Sequence, residues 1–333
     1  MLGFDFEEER IKQEISKLGA KRVLIQMPEG LKPEATKIAS VIEKSGVLPF
    51  ISADPCYGAC DLAVSEAEGL DVDLIVHFGH SKMVKQDKVP TMYVKAKSNE
   101  IIGAALLQTL PLLKGYKRIG LATSIQHLHI LNQAKEFLRS AEKTVIIGDA
   151  GQMENAGQVT GCNYSNVKSI AANVEAFLFL GGGIFHALGI ALSTSKPTII
   201  ADPYDNKAYT VNEEAQRILR RRFACIQEAK NAKTFGILIG SKLGQKHLDT
   251  AIRMKEIAET HGLIAFLLVG REITSEMLLE FPALDSYINT ACPRISLDVS
   301  GKFQKPVLTV SEFMVVCGED SWESLVKKGL FEN

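Results

Sequence analysis

The chain alternates short apolar runs with amphipathic stretches, and the alternation starts afresh three times. Short apolar runs bounded by turn residues predict buried strands, while apolar residues spaced three and four apart predict helices. The first set predicts strands over 22–27, 47–52, 73–78 and 91–94. A charged helix over 7–18 precedes it, and a helix over 33–45 carries Ala35, Ile38, Ala39 and Ile42 on one face and stops at Gly46. The second set predicts strands over 118–123, 144–147, 176–180 and 198–201, with a helix over 129–141. The third predicts strands over 235–239, 263–269, 286–289 and 307–309, with a helix over 246–261. Each set opens on an apolar run behind basic residues: Lys21-Arg22 before Val23, Lys117-Arg118 before Ile119, and Lys233 before Thr234-Phe235. Strands that alternate with helices pair in parallel through right-handed crossovers. The expected fold class is therefore α/β: three similar small α/β domains with parallel four-stranded sheets, over 1–113, 114–215 and 216–333. The basic stretch Arg217–Arg222 is expected on the exposed face of a helix between the second and third sets.

Composition narrows the function classes. A chain of 333 residues suggests two or three domains rather than one core. A net charge of -1 supplies no global basic field for nucleic acid. No apolar run approaches the length of a membrane span, and the charged N-terminal stretch lacks the apolar core of a signal peptide. Six cysteines without a secretion signal point to a reducing, cytoplasmic setting, with free thiols or metal ligands rather than disulfides.

Three of those cysteines occupy comparable places. Cys60 in Gly-Ala-Cys-Asp and Cys162 in Thr-Gly-Cys-Asn follow the second strand of their sets, and Cys292 in Thr-Ala-Cys-Pro follows the third strand of its set. All three come after C-terminal strand ends, where open parallel sheets bind ligands. One thiolate per domain, meeting where three domains join, would hold a central 4Fe–4S cluster and leave its fourth iron open. Zinc usually takes close cysteine pairs such as C-x2-C, and the chain has no C-x2-C. Cys56 lies in the same polar turn as Cys60 and competes for its role. Cys225 and Cys317 sit among apolar residues and read as core.

Glycine- and histidine-bearing loops at strand ends are candidates for holding a cofactor, because glycine lets backbone approach a ligand. Gly79, His80 and Ser81 follow one third strand, and Gly183 and His186 follow another. Gly240, Lys242 and Gln245 form a turn after the strand that opens the third set. Asp202 ends a strand and reads first as a turn cap and second as a ligand contact, and each histidine reads equally as a satisfied loop residue. None of these loops is a dinucleotide or Walker fingerprint.

Taken together, Tyr57-Gly58-Ala59-Cys60, His77-Phe78-Gly79-His80-Ser81, Gly183-Ile184-Phe185-His186, Asp202-Pro203-Tyr204, Asn289-Thr290-Ala291-Cys292-Pro293-Arg294 and Lys305-Pro306-Val307-Leu308-Thr309 resemble the first-step enzymes of diphthamide synthesis, in their archaeal single-subunit form. The resemblance covers nearly the whole chain, and the cysteine motif of the third set is its most specific part. It implies a transferase that acts as a homodimer, with a 4Fe–4S cluster on Cys60, Cys162 and Cys292. It further implies S-adenosylmethionine as substrate, reductive cleavage of its Cγ–S bond, and radical transfer of the 3-amino-3-carboxypropyl group to C-2 of a histidine of translation elongation factor 2. A separate electron donor is implied, with no membrane and no direct nucleic-acid partner. Two other readings stay open: a quinolinate-synthase-like 4Fe–4S dehydratase, which also joins three α/β units around a three-cysteine cluster, and a non-enzymatic metal-containing binding protein.

Overall fold

The structure, a computed structural model, describes residues 3–298 and 303–331. It separates into two compact units. The first is formed by the chain up to Ile101 together with the segments Ile125–His129 and Lys242–Gly244. Its strands are β1 (Phe4–Asp5), β2 (Arg22–Gln26), β3 (Leu48–Ile51), β4 (Leu74–Phe78), β5 (Thr91–Val94) and β6 (Lys97–Ser98). The second unit holds β7 (Arg118–Thr123), β8 (Thr144–Ile146), β9 (Ala176–Leu180), β10 (Thr198–Asp202), β11 (Lys207–Thr210), β12 (Thr234–Gly240), β13 (Ile264–Gly270), β14 (Ser286–Asn289) and β15 (Val307–Thr309).

The three restarts of the hydrophobic pattern become three parallel sheets of one topology. Their orders are β3-β2-β4-β5, β8-β7-β9-β10 and β13-β12-β14-β15. In each, the first strand lies between the second and the third, so the sheet is an α/β fold of the doubly wound kind. The third strands β4, β9 and β14 are buried along their whole length, as expected of inner parallel strands covered on both faces. The second sheet departs from the expected four strands. It gains β11, antiparallel to β10 through Ile199–Thr210 and Asp202–Lys207 pairs. A tight turn with Asn206 at φ 52° returns the chain onto the edge, and so short and polar a segment carries no strand pattern of its own.

In the first unit, Ile11 and Ile15 of the helix Glu8–Leu18 and Ile38 and Ile42 of the helix Ala35–Glu43 bury one sheet face against Val23, Ile25, Val76 and Phe78. Leu62, Val64 and Ala67 cover Leu24 and Ile75 on the other. In the second unit one hydrophobic cluster runs through both sheets, from Phe177, Phe179 and Ile200 to Phe235, Ile237, Ile288 and Phe313. The helix Gly103–Leu112 packs on β10 and β11, and the 215/216 boundary falls inside the helix Asn212–Ala229.

That helix corrects one expectation. Arg222 does not lie on an exposed face: it is 1 % exposed and ion-paired to the equally buried Glu312. Its Nε donates to Glu312 Oε1 at 2.7 Å, Nη1 to the Ser296 carbonyl at 2.9 Å and Nη2 to the Val307 carbonyl at 2.8 Å. A buried guanidinium is tolerable when each nitrogen finds an acceptor, and a run of arginines in sequence cannot reveal which one turns inward.

A shared device roots all three sheets. The carboxylate just before the third strand accepts two backbone N–H groups at the start of the first strand: Asp73 from Lys21 and Arg22 at 2.7 and 2.9 Å, Glu175 from Lys117 and Arg118 at 2.6 and 2.9 Å, and Asp285 from Lys233 and Thr234 at 2.9 Å each. These backbone donors hold all three carboxyls below the ordinary carboxylate range. A carboxyl whose folded pKa is depressed contributes stability above its unfolded value and loses it as pH falls through the folded one. The triple variant Asp73→Asn, Glu175→Gln, Asp285→Asn is therefore expected to be less stable than the parent at pH 7. Urea titrations at pH 7 and at pH 3 should show the difference shrinking at the lower pH; an equal difference at both would refute the clamp.

Candidate functional site

Each unit offers thiols at the C-terminal edge of its sheets. In the first unit, Cys60 is partly buried in the loop after β3, between the buried Ala59 and Asp61. Two elements hold this loop. Gln26, at the end of β2, donates from Nε2 to the Asp61 carbonyl at 2.6 Å and accepts the Ala63 N–H at 3.1 Å. The segment Lys242–Gly244 supplies the other contacts. The Gly244 N–H donates to the Cys60 carbonyl at 2.8 Å, and Lys242 Nζ lies 2.9 Å from Asp61 Oδ2, both side chains being 2 % exposed. Lys242 Nζ also sits 4.8 Å from the centre of the exposed Tyr57 ring. Lys242 is therefore engaged with a buried carboxylate of this chain.

Beside this loop lie His77 and His80. The buried His77 places Nδ1 2.8 Å from Gln26 Oε1 and Nε2 3.0 Å from His80 Nδ1. Burial holds His77 well below the ordinary imidazole range and brings His80 down to about 4. Both rings are thus neutral at pH 7. Gly79, at φ 78°, turns the chain between them, and its carbonyl accepts from Gln126 Nε2 at 2.6 Å. Cys56 is 1 % exposed, and burial, aided by the Asp61 charge, pushes its thiol up to about 12.

In the second unit, Cys162 and Cys292 are both partly buried, and Arg294 ties their loops together. Arg294 Nε donates to the Gly161 carbonyl at 2.5 Å, and Nη2 donates to Tyr164 Oη at 2.6 Å and to the Phe185 carbonyl at 2.9 Å. Its guanidinium carbon stacks 3.7 Å from the Phe185 ring centre. Burial raises the Cys162 thiol, offset in part by the Thr160 hydroxyl and the Arg294 charge. Cys292 sits in the turn from β14 into the helix Pro293–Asp298. Asn289 braces that turn, donating from Nδ2 to the Cys292 carbonyl at 2.7 Å and accepting the Ala291 N–H at 3.0 Å.

The remaining candidates are placed as follows. Asp202 accepts the Gly183 N–H at 3.0 Å, the Tyr204 N–H at 2.9 Å and the Tyr209 hydroxyl at 3.0 Å, so it organises the Gly183 loop and the turn after β10. Burial and Asp202 push the Tyr209 hydroxyl up to about 12. His186 stacks on Phe179 with ring centres 5.5 Å apart, at the start of the helix Phe185–Thr194. Gly240 is walled by Ala291 and the buried Gln245, 3.0 Å from where its Cβ would lie. Cys225 and Cys317 are partly buried and pack against the core of the second unit. Gln26, which organises the Cys60 loop, escaped the sequence analysis, and Asn289 entered it only within the Cys292 motif, without a role of its own. Their only signal is a polar residue closing an apolar strand.

A family model described as diphthamide synthesis protein matches residues 27–326. The chain belongs to this family. It is 38% identical over 316 residues to the 2-(3-amino-3-carboxypropyl)histidine synthase of Pyrococcus horikoshii, covering 94% of this chain and 91% of the relative. It is 28% identical to subunit 1 of the corresponding synthase of Saccharomyces cerevisiae, covering 95% of this chain and 76% of the relative. The crystal structure of Dph2 from Pyrococcus horikoshii with a 4Fe-4S cluster superimposes with a TM-score of 0.88 at 37% identity, over 96% of this chain and 93% of that one. The chain is accordingly an enzyme of the transferase class, with the α/β fold expected of it.

The support around Cys60 has a measurable consequence. A Cβ on Gly244 would lie 2.6 Å from Cys60 Cα and 2.7 Å from Cys60 Cβ, so a methyl group there must push the loop aside. Gly244→Ala is expected to cost about 1–3 kcal/mol in urea denaturation and to speed alkylation of Cys60. Gly115→Ala, with nothing within 4 Å, should stay within about 0.5 kcal/mol of the parent.

Proposed function

We propose that this chain carries out the first step of diphthamide synthesis, with Cys60, Cys162 and Cys292 as ligands of a 4Fe–4S cluster. Three partly buried thiols, each in a loop at the C-terminal edge of its own sheet, suit a cluster that keeps one iron open. No disulfide consumes them among the described residues. When bound, the cluster would supply the electron that cleaves the Cγ–S bond of S-adenosylmethionine. The 3-amino-3-carboxypropyl radical then adds to C-2 of a histidine on translation elongation factor 2. Loss of one electron and one proton restores the aromatic ring, so the transfer is redox-neutral overall and releases 5′-methylthioadenosine.

The chain's own part is positioning and exclusion of water. Arg294, fixed by Gly161, Tyr164 and Phe185, holds the Cys162 and Cys292 loops in one arrangement. Lys242 and Gly244 hold the Cys60 loop. The loops carrying Gly79, His80 and Ser81, Gly183, His186 and Asp202, and Gly240 and Gln245 are assigned to the substrate, with Lys242 acting through Asp61 as a positioning residue. A cytoplasmic setting accords with free thiols, and no helix of the described residues is long and apolar enough to cross a membrane.

The observation that carries this reading is the family match across residues 27–326, a span that includes all three cysteines. Anaerobic incubation with dithionite, S-adenosylmethionine and elongation factor 2 tests it. Mass spectrometry should find 5′-methylthioadenosine and a histidine heavier by the transferred group. Cys60→Ala, Cys162→Ala and Cys292→Ala should each lose iron and activity, while Cys225→Ala and Cys317→Ala keep both. 5′-Deoxyadenosine as the main product would overturn the cleavage assigned here, and consumption of iminoaspartate with dihydroxyacetone phosphate would favour a quinolinate-synthase-like reaction.

Homodimer assembly belongs to the same proposal. Its support is β13, an edge strand whose Ile264, Phe266 and Val269 are 55, 53 and 69 % exposed. Uncovered apolar edges pair with another chain unless charge or proline blocks them. Light scattering should give about twice the 36.4 kDa chain mass. Val269→Lys should shift the mass to that of one chain, and an unshifted dimer would place the interface elsewhere.

A further inference from the structure

Cys56 has no part in the function proposed above, yet it is among the most buried polarisable groups of the first unit. It lies with His77 and His80, and one ligating atom from each of the three falls within 4.8 Å of the other two. The geometry points to a second metal site, separate from the cluster cysteines, in which Cys56, His77 and His80 bind one zinc-type divalent cation.

The dimensions suit such an ion. Zinc–nitrogen bonds of about 2.0–2.1 Å and zinc–sulfur bonds of about 2.3 Å set tetrahedral edges of roughly 3.3 Å between nitrogens and roughly 3.6 Å between nitrogen and sulfur. His77 Nε2 and His80 Nδ1 already stand 3.0 Å apart. The donor set of one thiol and two imidazoles is of the kind zinc and cobalt take, where calcium and magnesium require oxygens. An outer support is also built. Gln26 Oε1 stands 2.8 Å from His77 Nδ1, which lets that nitrogen carry the proton and leaves the Nε2 lone pair facing His80. Gln26 is itself fixed by the Asp61 carbonyl and the Ala63 N–H. Binding would release the thiol proton and shift the His80 proton from Nδ1 to Nε2, so both imidazoles bind as neutral rings. The fourth position is left to solvent. With His80 bound through Nδ1, its Nε2 remains available to a substrate. The ion would join the loop of Cys56 to the end of β4, and its presence does not depend on the cluster reading.

Cobalt titration tests the site without any activity measurement. The parent for the test is the full chain with Cys162→Ala and Cys292→Ala, in which the cluster ligands are reduced to one. It should bind one Co2+ per chain with a thiolate-to-cobalt charge-transfer band, and Zn2+ should displace the cobalt and raise the melting temperature. Adding Cys56→Ser should abolish the band and the thermal shift. Adding His80→Ala, a change at a partly exposed position, should weaken binding by more than the about 10–100-fold typical of losing an outer partner. Adding Cys60→Ala should change neither. The proposal is overturned if the parent binds no Co2+ at micromolar concentration, if Cys56→Ser and His80→Ala bind as the parent does, or if Cys60→Ala removes the band.

Discussion

The carboxylate that bridges the first and third strands of each sheet is the constraint on which the sites depend. A parallel sheet starts with backbone N–H groups that have no ladder partner, and leaving them unmade is costly. Asp73, Glu175 and Asp285 meet this need at one place, just before the third strand. They thereby set register: Val23 faces Leu74, Ile119 faces Ala176, and Phe235 faces Ser286. A slip of one residue would turn every side chain of a strand to the opposite face. The effect reaches the far end of the same strands. In the first sheet the register brings Gln26 opposite His77, and their side chains meet at 2.8 Å. In the third it brings Leu238 opposite Asn289, and the following Thr290 hydroxyl donates to the Leu238 carbonyl at 2.8 Å. Chemistry at the C-terminal edge is thus aligned by carboxylate-to-backbone hydrogen bonds at the N-terminal edge.

The buried Arg222–Glu312 pair is a second organiser, confined to the second unit. Burying two charges is favourable only when their remaining hydrogen-bonding sites are filled, and here they are. Besides Arg222, Glu312 accepts the Thr309 N–H at 2.7 Å and so caps the helix Val310–Val316. Arg222 in turn holds the carbonyls of Val307 in β15 and of Ser296, four residues after Cys292. One guanidinium therefore joins the long helix Asn212–Ala229 to the segment that follows a candidate ligand. Removing either partner alone would strand a buried charge, at about 3–5 kcal/mol.

Much of this was legible from hydrophobic periodicity. Buried parallel strands are apolar on both faces, so a run such as Ala176–Leu180 stands out, and the observed strand coincides with it. β11 did not stand out, because Lys207–Thr210 is held by an edge pairing and by Tyr209 reaching Asp202, both of which are tertiary. The fate of individual charges was equally hidden. Lys242 and Arg222 look like ordinary surface cations in sequence, and only packing shows that each meets a carboxylate in the interior. The bracing residues were partly within reach: an acidic residue precedes the third strand at all three restarts, a repeat visible once the sets are aligned. Cys56 stands beside Cys60 in sequence, but its histidine neighbours lie more than twenty residues away and become neighbours only through the pairing of β3 with β2 and of β2 with β4.

The cysteine loops differ in how they are held, and the difference follows from where each leaves its sheet. Cys292 comes directly off β14 and enters a helix at Pro293, where a missing N–H is harmless. Asn289 and the Ile295 N–H, both local, suffice to fix the Cys292 carbonyl. Cys60 lies nine residues past the end of β3, on a turn-rich segment that local bonds alone do not hold. Its support is imported from distant chain, from Gln26 and from the segment Lys242–Gly244. A loop braced this way has more ways to fail, which gives a physical reason for a buried lysine–aspartate pair and a glycine without room for a methyl group at this place. Cys162 falls between these cases: its loop leans on Arg294, a residue of the Cys292 loop, so ordering one of the two constrains the other.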